Sequence, residues 1–363
     1  MSEKVSIITV VYNNARTIEQ TIRSVLSQTY QNIEYIVIDG GSTDGTVEII
    51  RKYLDWIDIF ISEKDEGLYY AMNKGIGLAS GDIIGILNSD DKYIENAISL
   101  VIDHYKNRKA DVLYGNALVV DSAVKSRMYI GSDIEELWYR MAIPHPATFV
   151  KRDIYVKYGI FDTQYQIAAD YDLILRLYSN GVKFDHIDNT LTVFRSGGIS
   201  TLKAWECNEE TWQISMKYIQ FCPKKEEYLT KIQEVYARKK FIKSWTENDK
   251  SIIYEFEKII NKSMQRKFAI FGAGARGVRC FQMLSASGAS VEFFVDNDSK
   301  KWGQKLQGIP VLSPNKLCSY EGYVMIGSVL YEQAISLQLK ELDSSLKVVL
   351  LSDLAQDWYD SNY

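Results

Sequence analysis

The chain has little of what marks disulfide-stapled, zinc-binding or membrane-spanning proteins. Its four cysteines, in 363 residues, form no C-x-x-C pair, so neither a zinc site nor a disulfide framework is indicated. No apolar run approaches the ~20 residues of a membrane span. The N-terminus reaches Asn13 and Asn14 after one short apolar run, so we expect no signal peptide. These observations predict a cytoplasmic protein with at most peripheral contact with the inner face of the membrane.

An excess of positive charge is also lacking, since 42 Lys and Arg residues stand against 47 Asp and Glu residues. The net charge of −5 disfavours a nucleic-acid binder, because such proteins depend on cationic contacts to phosphates. Apolar residues make up 46% of the chain and charged residues 25%, which is typical of a globular protein. The length allows two domains, each with its own core.

What the first half does contain is a regular alternation of short apolar runs and amphipathic segments. The runs predict strands at Val5–Val11, Ile33–Ile38, Asp58–Ser62 and Ile83–Leu87, with a helix between each pair. This order predicts the α/β class, with a doubly wound, mostly parallel sheet.

Polar residues follow each of these strands, and ligands of open α/β sheets bind beyond the carboxyl ends of strands. The strand at Ile83–Leu87 is followed by Asn88, Ser89, Asp90 and Asp91. Two adjacent carboxylates repel each other, so they need a cation or strong donors nearby. A divalent cation such as Mg²⁺ meets that need, whereas a plain Asp-rich turn is the competing interpretation.

Four segments, taken together, resemble glycosyltransferase family 2: SIITVVYNN, YIVIDGGSTDGT, DEGLYYAMNKGIGLASGD and GILNSDD. The resemblance covers about residues 4–200. It implies a GT-A fold and inverting transfer of a sugar from a nucleotide-sugar donor, most often a UDP-sugar. It also implies a glycan or lipid-linked acceptor in bacterial surface polysaccharide synthesis. A catalytically silent nucleotide-sugar-binding module is the alternative from another functional class.

The resemblance assigns Asp90 to a divalent metal, Mg²⁺ or Mn²⁺, on the donor diphosphate, with Asp91 as a second acidic contact. Asn88 stands where many family members have the first acid of a D-x-D motif, and an amide brings no charge. The other expected donor-binding residues are Thr9, Tyr12, Asn13, Asp39, Asp65, Asn73 and Ser89.

The segment from Ala168 to Leu177 resembles the family's acidic motif that carries the general base, which implies that Asp170 is the base. From the residues alone, Asp170 is equally a good helix N-cap. Asp172 is the next carboxylate to consider as the base.

Two further segments of this half are candidates for substrate contact. His145, in the turn Ile143-Pro-His-Pro146, contacts the acceptor or the diphosphate, or else has a structural role. Arg195, Gly197 and Gly198 resemble the family's terminal G-G-x-S loop, which implies a loop that folds over the diphosphate. A plain domain-ending turn is the alternative.

Residues 202–264 predict two or three aromatic, charged helices that either cover the catalytic domain (1–201) or join subunits in a homo-oligomer. Their lysines and arginines suit an anionic membrane surface, although interleaved glutamates favour solvated helix faces.

Residues 265–363 predict a small α/β domain that begins with a strand, a glycine loop and a helix. Gly272, Gly274, Gly277 and Asp296 form a G-x-G-x-x-G with a distal acid, which indicates a nucleotide site. The domain resembles Rossmann-like nucleotide-sugar-epimerase-like domains. It lacks the Tyr-x-x-x-Lys of such enzymes, so binding is favoured over the alternative, an NAD-dependent sugar oxidoreductase in a bifunctional protein.

Overall fold

The structure of the protein is a computed structural model. It describes residues 3–120, 126–129, 131, 133–246, 256–258, 260–261, 267–328 and 331–355. The chain divides into two compact units, Met1–Ile232 and Gln233–Tyr363. Each unit has its own sheet.

The first unit begins with four parallel strands, in the sheet order β3-β2-β1-β4. They are β1 (Val5–Val11), β2 (Ile33–Asp39), β3 (Ile59–Ser62) and β4 (Ile83–Asn88). Every residue of β1 is buried. This explains why the strand is a continuous apolar run, since both faces of a parallel sheet are covered. The predicted strands agree with these bounds to within one residue.

Helices connect these strands and follow the last of them: α1 (Ile18–Leu26), α2 (Thr46–Arg51), α3 (Leu68–Leu78) and α4 (Ala97–Arg108). At Gly75 in α3, an added Cβ would lie 2.4 Å from the Ile8 side chain. The glycine therefore lets α3 pack closely against β1.

The rest of the sheet is mixed and continues the order as β4-β8-β6-β9-β5, with β7 paired to β6. These strands are β5 (Lys92–Tyr93), β6 (Val112–Val120), β7 (Ser126–Tyr129), β8 (Thr148–Lys151) and β9 (Phe184–Arg195). β6 and β9 are parallel, whereas β8 is antiparallel to both of its neighbours. The predicted α/β class is confirmed. The four strands predicted from the sequence are β1 to β4, and they form the all-parallel part of this sheet.

Five more helices follow β8: α5 (Arg152–Tyr158), α6 (Ala169–Ser179), α7 (Ile199–Leu202), α8 (Ala204–Tyr218) and α9 (Lys225–Thr246). Ile214 and Tyr218 of α8 and Ile232 of α9 are buried in the same core as Leu173 of α6. The first unit therefore extends beyond the predicted boundary at residue 201, because α8 completes its core. None of the described helices is both long and apolar enough to cross a membrane.

The second unit has a six-stranded sheet in the order β12-β13-β11-β10-β14-β15. Its strands are β10 (Lys267–Phe271), β11 (Ser290–Val295), β12 (Lys305–Leu306), β13 (Ile309–Leu312), β14 (Tyr323–Ile326) and β15 (Lys347–Val349). Among the described strands of this unit, β12 and β13 pair antiparallel, and the other pairs are parallel. The helices α10 (Ala275–Ala286) and α11 (Glu332–Leu342) follow β10 and β14.

Candidate active site

Side-chain hydrogen bonds connect the loops at the carboxyl ends of β1, β2 and β4. The Asn14 backbone N–H donates to Thr46 Oγ1 at 2.9 Å, and Asn14 Nδ2 donates to Ser89 Oγ at 2.9 Å. Thr17 Oγ1 donates to the Ser89 carbonyl oxygen at 2.8 Å. Ser89, expected to bind the donor, thus fixes the loop beside Asp90.

Three further donor candidates follow parallel strands: Tyr12 and Asn13 follow β1, and Asp65 follows β3. Asn13 has a positive φ of 47°. Its N–H donates to Ser42 Oγ at 2.7 Å, and its Oδ1 accepts the Thr43 N–H at 2.8 Å. Asp65 Oδ1 accepts a backbone N–H of its own loop. The Tyr12 ring is 66% exposed, so it presents a face on which a base can stack.

Asp39 ends β2 and is completely buried. Its Oδ2 accepts the N–H groups of Gly41 (3.1 Å) and Ser42 (3.0 Å) and the hydroxyl of Ser62 (2.7 Å). Its Oδ1 is buried and has no hydrogen-bond partner among the residues that the structure describes. A buried acceptor without a donor is costly, and a hydroxyl or N–H of a bound nucleoside would satisfy it.

Two expected donor-binding side chains are engaged within the protein. Thr9 is completely buried, and its hydroxyl accepts from the Tyr35 hydroxyl at 3.2 Å. The Asn73 amide donates to the Phe161 carbonyl at 2.9 Å and accepts the Phe161 N–H at 3.0 Å. These contacts occupy part of the hydrogen-bonding capacity of Thr9 and Asn73, and the donor-binding role of both residues stays a prediction.

A cavity of about 310 Å³ brings together six of the predicted site residues: Asn88, Asp90, His145, Asp170, Arg195 and Gly198. Many apolar side chains also line it, among them Leu68, Met72, Met141, Ile143, Ile167 and Phe194. The carboxylate-bearing loop after β4 and the helix of the expected base therefore face one space.

Asp90 and Asn88 offer oxygen ligands to a divalent cation at one end of this cavity. No other described residue donates to the Asp90 carboxylate, and Asn88 Oδ1 is buried without a partner. Burial raises the pKa of Asp90, and the charge of Arg195 partly opposes this shift. The residues fit a metal bound through one carboxylate, because hard cations take oxygen ligands.

Asp91 lies elsewhere, although it was expected as the second metal contact. It is completely buried, and its Oδ1 accepts the Arg195 N–H at 3.0 Å. Burial and the nearby Asp90 charge raise the pKa of Asp91 well above its ordinary value. Asp91 is absent from the lining of the cavity, and its Oδ1 fixes the end of β9. Its Oδ2 is buried with no hydrogen-bond partner among the described residues, so its contact with a metal stays a prediction.

Asp170 lies in the first turn of α6 and lines the cavity. Its Oδ1 accepts the Tyr171 N–H at 2.9 Å and the Tyr69 hydroxyl at 3.1 Å. Among the described residues, none donates to its Oδ2. One oxygen is thus held by the protein while the other keeps its capacity to accept a proton.

The two competing interpretations of this motif do not match the structure. The N-cap of α6 is Ala168, not Asp170. Asp172 is buried, with Lys217 Nζ at 2.9 Å and the Tyr218 hydroxyl at 3.1 Å from its Oδ1. It does not line the cavity, so it is not a second candidate base.

His145 lines the cavity near Asp170, and burial lowers the pKa of its imidazole while Asp170 opposes that shift. Its ring contacts Phe161 edge-on at 5.8 Å between centroids. In the loop after β9, Gly197 has φ of +110°, which glycine adopts without strain. Arg195, the last residue of β9, and Gly198 of the loop line the cavity, whereas Gly197 does not.

Sequence patterns alone did not identify Tyr69, Glu210 or the cavity residues of α8, Cys207 and Thr211. Tyr69 lies within the quoted DEGLYY segment, so that motif contained the signal. Glu210 and α8 carry no comparable motif, and only the fold brings them to the site.

In the second unit, Gly272, Gly274, Gly277 and Asp296 line one cavity of about 510 Å³. A Cβ on Gly277 would lie 1.8 Å from the Gly272 carbonyl oxygen, so this close turn requires glycine. Burial alone would raise the pKa of Asp296, but its hydrogen bonds lower the pKa overall. Its oxygens accept from Lys301 Nζ (2.8 Å) and from the N–H groups of Ala273 (2.7 Å) and Asp298 (2.9 Å).

Comparison with protein families gives two matches. Residues 6–161 match Glycosyl transferase family 2, and residues 264–349 match the family described as C2185-like, N-terminal. The second match does not support the Rossmann-like epimerase resemblance proposed for residues 265–363.

Similar proteins include a PGL/p-HBAD biosynthesis glycosyltransferase of Mycobacterium tuberculosis, 29% identical over 48% of this chain and 70% of the relative. An uncharacterized glycosyltransferase of the same species is 33% identical over 47% of this chain and 68% of the relative. Both alignments cover less than half of this chain.

Among solved structures, S. aureus TarS superimposes with a TM-score of 0.53 at 16% identity. The match covers 64% of this chain but only 43% of the TarS chain. Residues 1–349 of TarS in complex with UDP give a TM-score of 0.51, covering 70% of that chain. At this identity the likeness shows the fold alone.

Proposed function

Because the chain belongs to glycosyltransferase family 2, we propose that its first unit transfers a sugar from a UDP-sugar to a hydroxyl of a glycan or lipid-linked acceptor. The observation that carries this proposal is the shared cavity, in which Asp90 and Asp170 both keep a carboxylate oxygen to which no other described residue donates. The UDP bound in the TarS complex motivates the choice of base. Bacterial surface polysaccharide synthesis is the process we propose it serves.

At the donor end, Asp39 would accept from the nucleoside and Tyr12 would stack on it. Asp90 and Asn88 would hold Mg²⁺ or Mn²⁺, which would neutralise the charge of the departing diphosphate. The described residues hold no cluster of three or more His, Cys, Asp or Glu for a metal. The remaining ligands would therefore come from the diphosphate and water.

At the acceptor end, Asp170 would act as the general base. Its Oδ2 would take the proton of the acceptor hydroxyl while Tyr69 and Tyr171 hold Oδ1. The hydroxyl oxygen would bond to the anomeric carbon as the carbon–oxygen bond to the diphosphate breaks. The diphosphate would leave with that electron pair, and attack from the opposite face would invert the anomeric configuration.

The apolar wall of the cavity bears on the acceptor. Met72, Met141 and Ile143 line it beside Asp170, and they suit the apolar face of a sugar ring or an apolar group linked to it. The lowered pKa of His145 favours a neutral ring, which can donate one hydrogen bond to a substrate oxygen.

The test is incubation of the purified chain with a panel of nucleotide sugars, Mn²⁺ or Mg²⁺, and candidate acceptors. We expect metal-dependent release of UDP that rises with acceptor, and a product whose anomeric proton coupling shows inversion. If no donor in the panel is cleaved although UDP binds, the silent binding module replaces the enzyme.

For the second unit we propose a supporting role without group transfer. The loop from Gly272 to Gly277 and the cations Arg276 and Lys301 line a cavity that suits the phosphates of a nucleotide. The Asp296 oxygens already accept hydrogen bonds from three protein donors. They therefore have less capacity to accept from the ribose hydroxyls of a dinucleotide. A nicotinamide absorbance change dependent on added sugar would contradict this role.

A further inference from the structure

Glu210 of α8 accepts hydrogen bonds from three consecutive backbone N–H groups. Its Oε1 accepts from Gln166 at 2.9 Å, and its Oε2 accepts from Ile167 at 2.9 Å and Ala168 at 2.8 Å. Both oxygens of its carboxylate therefore accept hydrogen bonds from one short segment of backbone. Hydrogen bonds to a charged acceptor are stronger than neutral ones.

That segment leads directly into Asp170. Ala168 is the N-cap of α6, and Ile167 and Ala168 both line the cavity. The single proton of the Tyr69 hydroxyl is shared between two acceptors, the Ile167 carbonyl oxygen at 2.7 Å and Asp170 Oδ1 at 3.1 Å. The backbone that Glu210 holds is thus part of the hydrogen-bond network around the proposed base.

The rest of α8 extends this contact along α6. Ser215 Oγ and the Tyr171 hydroxyl lie 2.8 Å apart, and Lys217 pairs with Asp172. Those contacts join side chain to side chain and anchor α8 on α6. Glu210 differs because, among the described residues, its hydrogen-bond donors all belong to the backbone before Asp170, so its loss would first alter the geometry of that segment.

We propose that Glu210 is a positioning residue for the transfer step, holding the 166–168 backbone so that Asp170 Oδ2 faces the acceptor hydroxyl. The proposal rests on the proposed function, in which Asp170 is the base. α8 then belongs to the catalytic machinery, although it lies beyond the segment that matches the family.

The first test compares Glu210→Gln with Glu206→Gln, an exposed acid one turn earlier on the same helix. The amide keeps the size of Glu210 but places an NH₂ against backbone donors. We expect Glu210→Gln to lower kcat for transfer at least about tenfold, because small misplacements of a catalytic group are costly. The UDP Kd should stay unchanged, and Glu206→Gln should match the parent.

Hydrogen exchange and a second variant distinguish a local change at residues 166–168 from a loss of activity caused by unfolding. In the folded fraction of Glu210→Gln, the amides of residues 166–168 should exchange faster, while those in β1 should not. Glu210→Asp keeps the charge but is shorter, so its kcat should fall between those of the parent and Glu210→Gln. Unchanged exchange at 166–168 together with unchanged kcat would overturn the proposal.

A double-variant cycle separates positioning from general structural support. If Glu210 acts through Asp170, Glu210→Gln should cause no further loss in an Asp170→Asn background. Equal fold losses in both backgrounds would overturn the proposal and leave the proposed function intact. If Asp170→Asn alone keeps parental turnover, the base assignment fails, and the positioning role fails with it.

Discussion

The two units share one local device, an acidic side chain at the end of a buried parallel strand, but they use its oxygens differently. In the first unit, Asp39 Oδ1 is buried without a partner, and no other described residue donates to the Asp90 carboxylate. In the second, Asp296 accepts three donors from its own unit. Asp39 and Asp90 therefore keep oxygens that can accept hydrogen bonds from a ligand, whereas the oxygens of Asp296 stabilise the turn that follows its own strand.

This difference has an energetic meaning. A buried acceptor without a donor costs about 1–3 kcal/mol, which folding must offset elsewhere. Such groups cluster at functional sites, where a ligand supplies the missing partner. Asp296 carries no such cost, because Lys301 and two backbone N–H groups surround it. The comparison distinguishes Asp39 and Asp90 from Asp296, although Asp91 Oδ2 and Asp172 Oδ2 are also buried without a donor among the described residues.

The largest expected effect is that of Asp170→Asn. The amide cannot take the acceptor proton, so transfer should fall about 10²–10⁴-fold, the usual contribution of a general base. Because Asp170 is not the N-cap of α6, the melting temperature and UDP affinity should match the parent. Asp153→Asn, an exposed acid in the first turn of α5, is the control. Near-parental turnover by Asp170→Asn would remove it as the base.

Asp90→Asn should have the second largest effect, because a charged metal ligand is lost. We expect loss of metal-dependent UDP binding and a drop in turnover of about a hundredfold. Burial raises the pKa of Asp90 above its unfolded value, so its ionised form at neutral pH opposes folding. The metal-free melting temperature should therefore hold or rise. Titration of UDP with and without Mn²⁺ measures the first effect, with Asp103→Asn as control. Unchanged metal dependence contradicts the assignment.

A smaller effect is expected for Asp39→Asn. The amide still accepts from Gly41, Ser42 and Ser62, but it loses the charge that strengthens a bond to the nucleoside. We expect the donor KM to rise about tenfold, as for one charge-assisted hydrogen bond, with kcat little changed. Steady-state kinetics with varied donor concentration measures the donor KM, and Asp55→Asn, at an exposed acid, is the control. A fall in kcat alone would place Asp39 outside the nucleoside site.

The smallest effect on transfer should follow Asp296→Asn. The loss of the Lys301 pair should destabilise the second unit by about 1–2 kcal/mol, measured by denaturant unfolding. Transfer by the folded protein should stay within about twofold of the parent. A large loss of transfer, with the protein still folded, would break the division of roles between the two units.

Sequence patterns predicted the parallel half well, because its strands are buried on both faces and therefore read as apolar runs. They predicted little of β9, in which polar residues such as Asp185 and Asn189 interrupt the pattern. At the site, short local motifs were enough to select Asp39, Asp90 and Asp170 as candidates. The internal roles of Thr9 and Asn73, and the contact of Glu210 with 166–168, depend on partners distant in sequence.

Hydrogen exchange with and without a UDP-sugar, in the presence and absence of Mn²⁺, tests the central claim most directly. We predict metal-dependent protection of the amides at residues 11–14, 39–43 and 88–91 in the first unit. Asp90→Asn should abolish this protection. Protection that appears only at residues 272–277, or that persists unchanged in Asp90→Asn, would contradict the account.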